Sequence, residues 1–409
     1  MFKWTSLLFI TKKLIFCIAS LFTALFSPQK ARARHFQENT WYIRVLLHEG
    51  SKEKIGSFEL ESPRGFYIST HATGTNKKPI KAKRLTVRAT RKSIELKTEK
   101  TPYKSVNSTA VLLAPANGKI SANGKDYSGI LAFHISKSGK FQMINWVDLE
   151  EYIYSVLLSE VYQSWPVEMH KVQAIASRTY AARCMREARK AGKEFDIKNN
   201  NFHQVYRGTH KYSHLRKAID QTKGMVLSYN GQLALTMFDA CCGGCIPAKM
   251  RCFNFKKTPY LSRSYACKYC KNYSLYRWKE EFNFDTLANA LRKHPKTKKN
   301  ANSAGRLKNI KTREVDGAGV AHKVELVGRK KTVTLNGADF FEVVRHKAKS
   351  RSFDISKKNW TIILSGRGFG HLTGLCQRGA RELVKRNWKA PKILTFYYPG
   401  TVLTKLKVI

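Results

Sequence analysis

The chain has 409 residues, 43% of them hydrophobic and 11% aromatic, which supplies packed cores for two or three domains and excludes a disordered polymer. Its 75 Lys and Arg against 28 Asp and Glu leave a net charge of +47. Cations in that excess neutralise phosphates, yet here they are scattered, and the densest runs, residues 77–84 and 292–299, lie in no helix-turn-helix, finger or aromatic-interleaved strip. The expectation is therefore no specific nucleic acid, and a basic surface that is solvated or meets an anionic envelope surface.

Residues 1–33 read as a signal peptide or N-terminal anchor. Lys3, Lys12 and Lys13 precede an apolar run at 14–26, and Ala31 and Ala33 stand in an A-x-A arrangement before Arg34. The run is shorter than the roughly 20 residues a spanning helix needs, although an uncleaved anchor also using residues 7–10 stays open. Residues 34–140 are expected to form a β-rich domain: WYIRVLL, GSFELES, RLTVRA, SIELKT and GILAFHI alternate, with Asn-Gly turns at 117–118 and 123–124.

Residues 141–409 are expected to form the second domain. In it a helix starts near Asp148, with Glu151 three residues on to complete a capping box, and ends near Val161. A second helix opens at Pro166 and runs towards Gly192. This places one carboxylate, Glu160, at the junction of two helices. Residues 224–240 then read as a strand pair around Asn230-Gly231, and 281–293 as a helix. The Lys, Asn and Ser stretch at 294–306 reads as a basic linker or insertion. A hairpin over 321–337, a glycine word at 366–370, a helix over 373–385 and a last strand near 401–408 complete an α+β chain.

Cys242 and Cys245 form one C-x2-C, Cys267 and Cys270 another, with 21 residues between them. That spacing is near a four-thiolate zinc ribbon and predicts a structural Zn2+; disulfides or buried free thiols are the other readings. Cys184, Cys241, Cys252 and Cys376 are additional.

The words LEEY (149–152), Ser159 with Glu160, SWPVE (164–168), QAIASRTYAA (173–182), QVYRG (204–208), CGG (242–244), PYL (259–261), GRGFGHLTGLCQRGA (366–380) and YYPGT (397–401) occur in the order found in the stage II sporulation protein D family, which includes the amidase enhancers. The chain resembles that family over roughly residues 120–405. The resemblance implies an exported enzyme of the periplasm or cell envelope that cleaves peptidoglycan glycan strands, preferring strands stripped of stem peptides, with Glu160 as the catalytic acid and base. One carboxylic acid with a raised pKa suffices if the C6 hydroxyl of the muramic sugar is the attacking group, as in lytic transglycosylases. The alternative is a noncatalytic cell-wall-binding enhancer of an amidase. An amidase or the division machinery are the implied protein partners.

Gln173, Arg178, Thr179 and Tyr180 follow on the second helix and are candidates to hold sugar hydroxyls or acetamides; Arg178 paired to a nearby carboxylate is the competing reading. His371 and Gln377 are candidates to support the site from the glycine word, against a purely structural loop role. Leu372 stands where the family has glycine. Glu168, on the opening turn of the second helix, is expected to favour the helix dipole. Sporulation members place zinc on a His-Cys pair before QVY, where this chain has Phe202 and His203, so that site is not carried over. Another branch pairs the equivalent of Cys242 with a later C-x2-C, which implies that Cys242, Cys267 and Cys270 act together.

Overall fold

The computed structural model describes residues 41–50, 56–70, 82–90, 93–106, 109–116, 118–200 and 203–406; the expected leader, most of the basic run at 77–84 and Asn117 lie outside them. The chain divides into two compact units, Met1–Asp148 and Leu149–Ile409, and the mixture of strands and helices is α+β.

The first unit is built from alternating strands. One sheet runs Tyr42–Glu49, Phe141–Asp148, Ile130–Ile135, Ala110–Pro115 and Phe66–Thr70. The other runs Lys104–Ser105, Ile94–Thr98, Arg84–Ala89, Ser57–Glu61, Lys119–Ala122 and Lys125–Ser128. Apolar alternation in SFELE and RLTVRA buries Phe58, Leu60, Leu85 and Val87 on one face. Phe58 from the second sheet meets Phe133 and Phe141 of the first at 5.6 and 6.0 Å between ring centroids, which joins the sheets into one core. Asn123 and Gly124, at φ of 47° and 77°, close the last hairpin with the left-handed pair a tight turn requires. Strand Phe141–Asp148, assigned by sequence to the second domain, pairs on both sides with Tyr42–Glu49 and Ile130–Ile135 and so belongs here.

The second unit is organised around a long helix. Its described helices are α1 (Leu149–Glu160), α2 (Val167–Lys190), α3 (Ser213–Gln221), α4 (Phe284–Lys293), α5 (Lys298–Ser303), α6 (Gly337–Val344), α7 (Gln377–Lys385) and α8 (Ala390–Tyr397). None is long and apolar enough to cross a membrane. Pro166 precedes α2, and its carbonyl accepts from the N–H groups of Met169 and His170, at 2.8 and 3.2 Å. Small residues such as Ala174, Ala176, Ala181 and Ala182 are fully buried, so α1, α3, α7, α8 and strand Met225–Tyr229 all approach α2 closely.

Glu168 does more than sit in the opening turn of α2. Its carboxylate accepts from the Ala390 N–H at 2.8 Å, at the start of α8, and pairs with Lys171 at 3.2 Å.

Two antiparallel sheets, Arg277–Asn283 with Thr361–Arg367 and Phe353–Lys358, and Leu307–Val315 with Ala321–Gly328 and Thr332–Asn336, share a core with α4, α5 and α6. The stretch expected as a basic linker is part of that core. Residues 298–303 are helical, Ala301 and Ala304 are fully buried, and the Thr297 hydroxyl donates to the Leu291 carbonyl at 2.6 Å. Lysines at 296, 298 and 299 mislead because they cover one side while alanines at 301 and 304 pack on the other. Ala301→Glu is expected to cost more than about 3 kcal/mol by placing an unpaired charge in this core. Thermal denaturation checks it, since a solvated linker would tolerate the change.

Candidate active site and cysteine cluster

Glu160 is the last residue of α1, where the helix gives way to the turn carrying Tyr162, Trp165 and Pro166. Its side chain is half-buried. The Val205 N–H donates to its Oε1 at 3.4 Å, and no Lys, Arg or His among the described residues forms an ion pair with it. Burial raises its pKa above the ordinary carboxylate range, only partly offset by the Val205 bond. A carboxyl in this setting holds its proton longer than an exposed one and has no salt bridge to break before it reacts.

Two predicted residues converge on it. The Gln377 amide donates to the Glu160 carbonyl at 2.9 Å and to Gln173 Oε1 at 3.3 Å, while Gln173 donates to Ser177 Oγ at 3.1 Å. These amides fix the end of α1 against α2 and α7. Tyr152, fully buried one face over, donates to Gln204 Oε1 at 3.1 Å and stacks on Tyr206. Gln204 in turn donates to the Ser177 carbonyl at 3.3 Å, which sets the segment whose next N–H, that of Val205, meets Glu160. The QVY word is the sequence signal for this arm. Tyr180 closes it from the other end, with its hydroxyl 3.1 Å from His203 Nδ1.

The remaining predicted residues do other work. Arg178 is fully buried and makes a bidentate pair with Glu150, at 2.9 and 2.6 Å, with a further bond to the Met225 carbonyl at 3.1 Å. It is committed to the scaffold, and with its side chain fully buried it is not presented to a sugar near Glu160. Thr179 is committed likewise, donating to Ile175 and accepting from Leu227. Because Glu150 is only 14% exposed, Glu150→Ala is expected to leave a buried unpaired guanidinium and to cost about 3–5 kcal/mol. Urea denaturation measures this.

His371 Nε2 donates to the Phe238 carbonyl at 2.9 Å and Nδ1 accepts from the Thr373 N–H at 3.1 Å. Only the neutral ring satisfies both contacts, and burial pushes its pKa down to about 4. The ring is a structural keystone of the glycine word.

The cysteines gather differently from the ribbon read in the sequence. The sulfur atoms of Cys242, Cys267, Cys270 and Cys376 lie within 4.8 Å of one another, all buried. Cys245 is excluded. Gly243 and Gly244, at φ of 58° and 74°, reverse the chain between the two cysteines of the first C-x2-C, and Cys245 packs with Met250, Ala318, Val320 and Leu372. Cys376 takes its place because strand Leu375–Cys376 pairs in parallel with Phe238–Asp239, a long-range pairing that local spacing does not reveal.

The Cys242 and Cys270 sulfurs are 3.7 Å apart, too far for a disulfide and close to the roughly 3.8 Å edge of a tetrahedron with 2.3 Å zinc–sulfur bonds. Backbone N–H groups of Cys242 and Gly379 each approach Cys376 Sγ at 3.3 Å, as donors do around a metal-bound sulfur. The four sulfurs act on one another: hydrogen bonds from Cys241, Cys242, Cys267 and Cys376 hold Cys270 below the usual thiol range, while hydrogen bonds from its neighbours push Cys242 up and burial pushes Cys376 up. Only glycine fits at 379, where a Cβ would come within 2.6 Å of Cys267 Sγ. The donor set and its spacing fit a four-thiolate structural metal.

Comparison with known proteins follows the same words. The family model described as "Stage II sporulation protein" matches residues 137–229, and one described as "Domain of unknown function (DUF8618)" matches residues 200–374. An uncharacterized protein of Brachyspira hyodysenteriae is 32% identical over 283 residues, covering 68% of this chain and 72% of that protein. The stage II sporulation protein D of Bacillus subtilis is 28% identical over 278 residues, covering 64% of this chain and 76% of its own. The amidase enhancer of the same organism is 25% identical over 328 residues, covering 70% of this chain and 45% of that longer protein. The chain belongs to the stage II sporulation protein D family.

Within this cell-wall-related sporulation family, the present member carries one local departure that the structure explains. Leu372 holds a left-handed backbone at φ 67°, where glycine is free of strain. Its N–H donates to Asp239 Oδ2 at 2.6 Å and its side chain fills the apolar cluster around Cys245. Packing and that hydrogen bond offset the backbone strain, so the loop keeps its course with a leucine.

Proposed function

We propose that this stage II sporulation protein D family member is an exported enzyme that cleaves peptidoglycan glycan strands, of the lytic transglycosylase or muramidase type, acting on strands already stripped of stem peptides. The observation that carries the reading is Glu160: a half-buried carboxyl, raised in pKa by burial, without a cationic partner, at the mouth of a helix junction held by Gln173, Gln377 and the Val205 N–H. Its proton passes to the glycosidic oxygen as that bond breaks. The resulting carboxylate then takes the proton of the muramic C6 hydroxyl as that oxygen closes on C1, leaving a 1,6-anhydro end and an acid ready for another cycle. Cys242, Cys267, Cys270 and Cys376 would hold a structural Zn2+, whose closed thiolate shell leaves no position for water and serves only to brace the wall beside α7.

The relative named amidase enhancer favours a second reading, a noncatalytic wall-binding protein that stimulates an amidase partner. Mass spectrometry of fragments released from peptide-stripped and intact sacculi separates the two. Anhydro-muramoyl ends support the enzyme; new reducing ends would replace the intramolecular step by hydrolysis, and strands left uncut while an added amidase accelerates would favour the enhancer.

A further inference from the structure

The start of α7 carries an arginine that the cleavage mechanism does not use. Gln377 and Arg378 are consecutive at the start of α7, and while Gln377 holds the Glu160 carbonyl, the Arg378 guanidinium lies 4.9 Å from the ring centre of Tyr162, 5.1 Å from Trp165 and 4.2 Å from Tyr273. Tyr162 follows Glu160 by two residues and is 59% exposed. Among the described residues no carboxylate or carbonyl accepts from the Arg378 side chain, in contrast to Arg178, Arg216 and Arg367, each of which has acceptors. Stacking on ring faces engages the plane of a guanidinium and does not use its edge donors, the fork that matches a carboxylate.

We propose that Arg378, clamped on the Tyr162–Trp165–Tyr273 platform, is the receptor for the free lactyl carboxylate of a peptide-stripped muramic sugar; the inference rests on the glycan-strand reading of the site. An amidase cuts the amide between the lactyl group and the stem peptide, so each stripped muramic unit presents a carboxylate where an intact one presents a neutral amide. An unpaired guanidinium stacked on the turn that follows the acid distinguishes these by charge and by two parallel hydrogen bonds. The exposed Tyr162 ring gives the adjoining sugar an apolar face. Preference for stripped strands then has an address in the chain.

The test is equilibrium binding of the full-length chain, in the Glu160→Gln background to prevent turnover, to soluble stripped strands and to the same strands with their carboxylates converted to N-methylamides. Carboxylate strands are expected to bind about tenfold tighter or more. Arg378→Gln should erase most of that preference without weakening binding to amidated strands, whereas Arg329→Gln, which removes the same charge from an exposed hairpin turn, should preserve it. Equal affinities in the parent, a preference retained by Arg378→Gln, or an equal loss in Arg329→Gln overturns the proposal. Should the glutamine variant fail to fold, Arg378→Lys, which keeps the charge but lacks the planar fork, must still lose most of the preference. Cleavage by the unsubstituted chain is scored separately: a protein that discriminates the strands but never cuts them defeats the role given to Glu160 and leaves that of Arg378 standing.

Discussion

Glu160→Gln is expected to lower glycan-strand cleavage by about 10³-fold or more while leaving strand binding in place, because glutamine keeps the shape of the side chain and the Val205 contact but has no proton to give. The pH dependence carries a second signature. Cleavage needs the protonated acid, and burial raises that pKa, so kcat/KM of the parent should fall as pH rises through the raised value.

The stability consequence has the same origin. Between the unfolded and folded pKa of Glu160 the native state binds more protons than the unfolded one. The stabilisation present below the unfolded value is therefore lost as pH climbs through the folded value. Glutamine does not titrate. The Tm difference, variant minus parent, should grow in the variant's favour between pH 4 and pH 7. A difference independent of pH, or unchanged cleavage, would remove Glu160 from the chemistry.

That this residue was legible from sequence alone follows from how helices end. Trp165-Pro166 forbids α1 from running on, and the apolar spacing of Ile153, Val156 and Leu157 fixes its buried face, so a carboxylate at 160 must fall at the junction. Strands of the first unit were legible for a similar reason, since alternation in SFELE and RLTVRA sets burial residue by residue. Where local pattern stops determining contacts, the reading fails. Arg178 sits among polar neighbours on α2 and looks available; only the fold brings Glu150 from α1 against it. The lysines at 296–299 suggest solvent, and only tertiary packing shows the alanines at 301 and 304 beneath them. Arg378 and Tyr162, separated by more than half the second unit in sequence, give no joint signal until α7 docks beside the turn after α1.

The cysteines offer the sharpest contrast between spacing and structure, and a paired substitution decides it. Cys376→Ser is expected to lose bound zinc and to destabilise the second unit by about 4–5 kcal/mol, lowering Tm by roughly 10 °C or more. Cys245→Ser should retain one zinc per chain, because its sulfur faces the Ala318 carbonyl at 3.8 Å, away from the other four. A ribbon built on two C-x2-C pairs demands the reverse. Metal analysis by mass spectrometry with calorimetry on the same samples reads both outcomes.

The effect of Cys376→Ser should also reach the acid. Cys376 caps α7 by accepting from Gly379, and Gln377, the residue after it, holds the Glu160 carbonyl. Releasing the sulfur frees the start of α7 and with it that amide. Chelation of the parent should therefore depress kcat on stripped strands even though no step of the reaction uses the metal. Restoring zinc should recover cleavage in the parent and in Cys245→Ser, and leave Cys376→Ser unchanged. Recovery in Cys376→Ser, or chelation without effect on kcat, would detach the cluster from the active site.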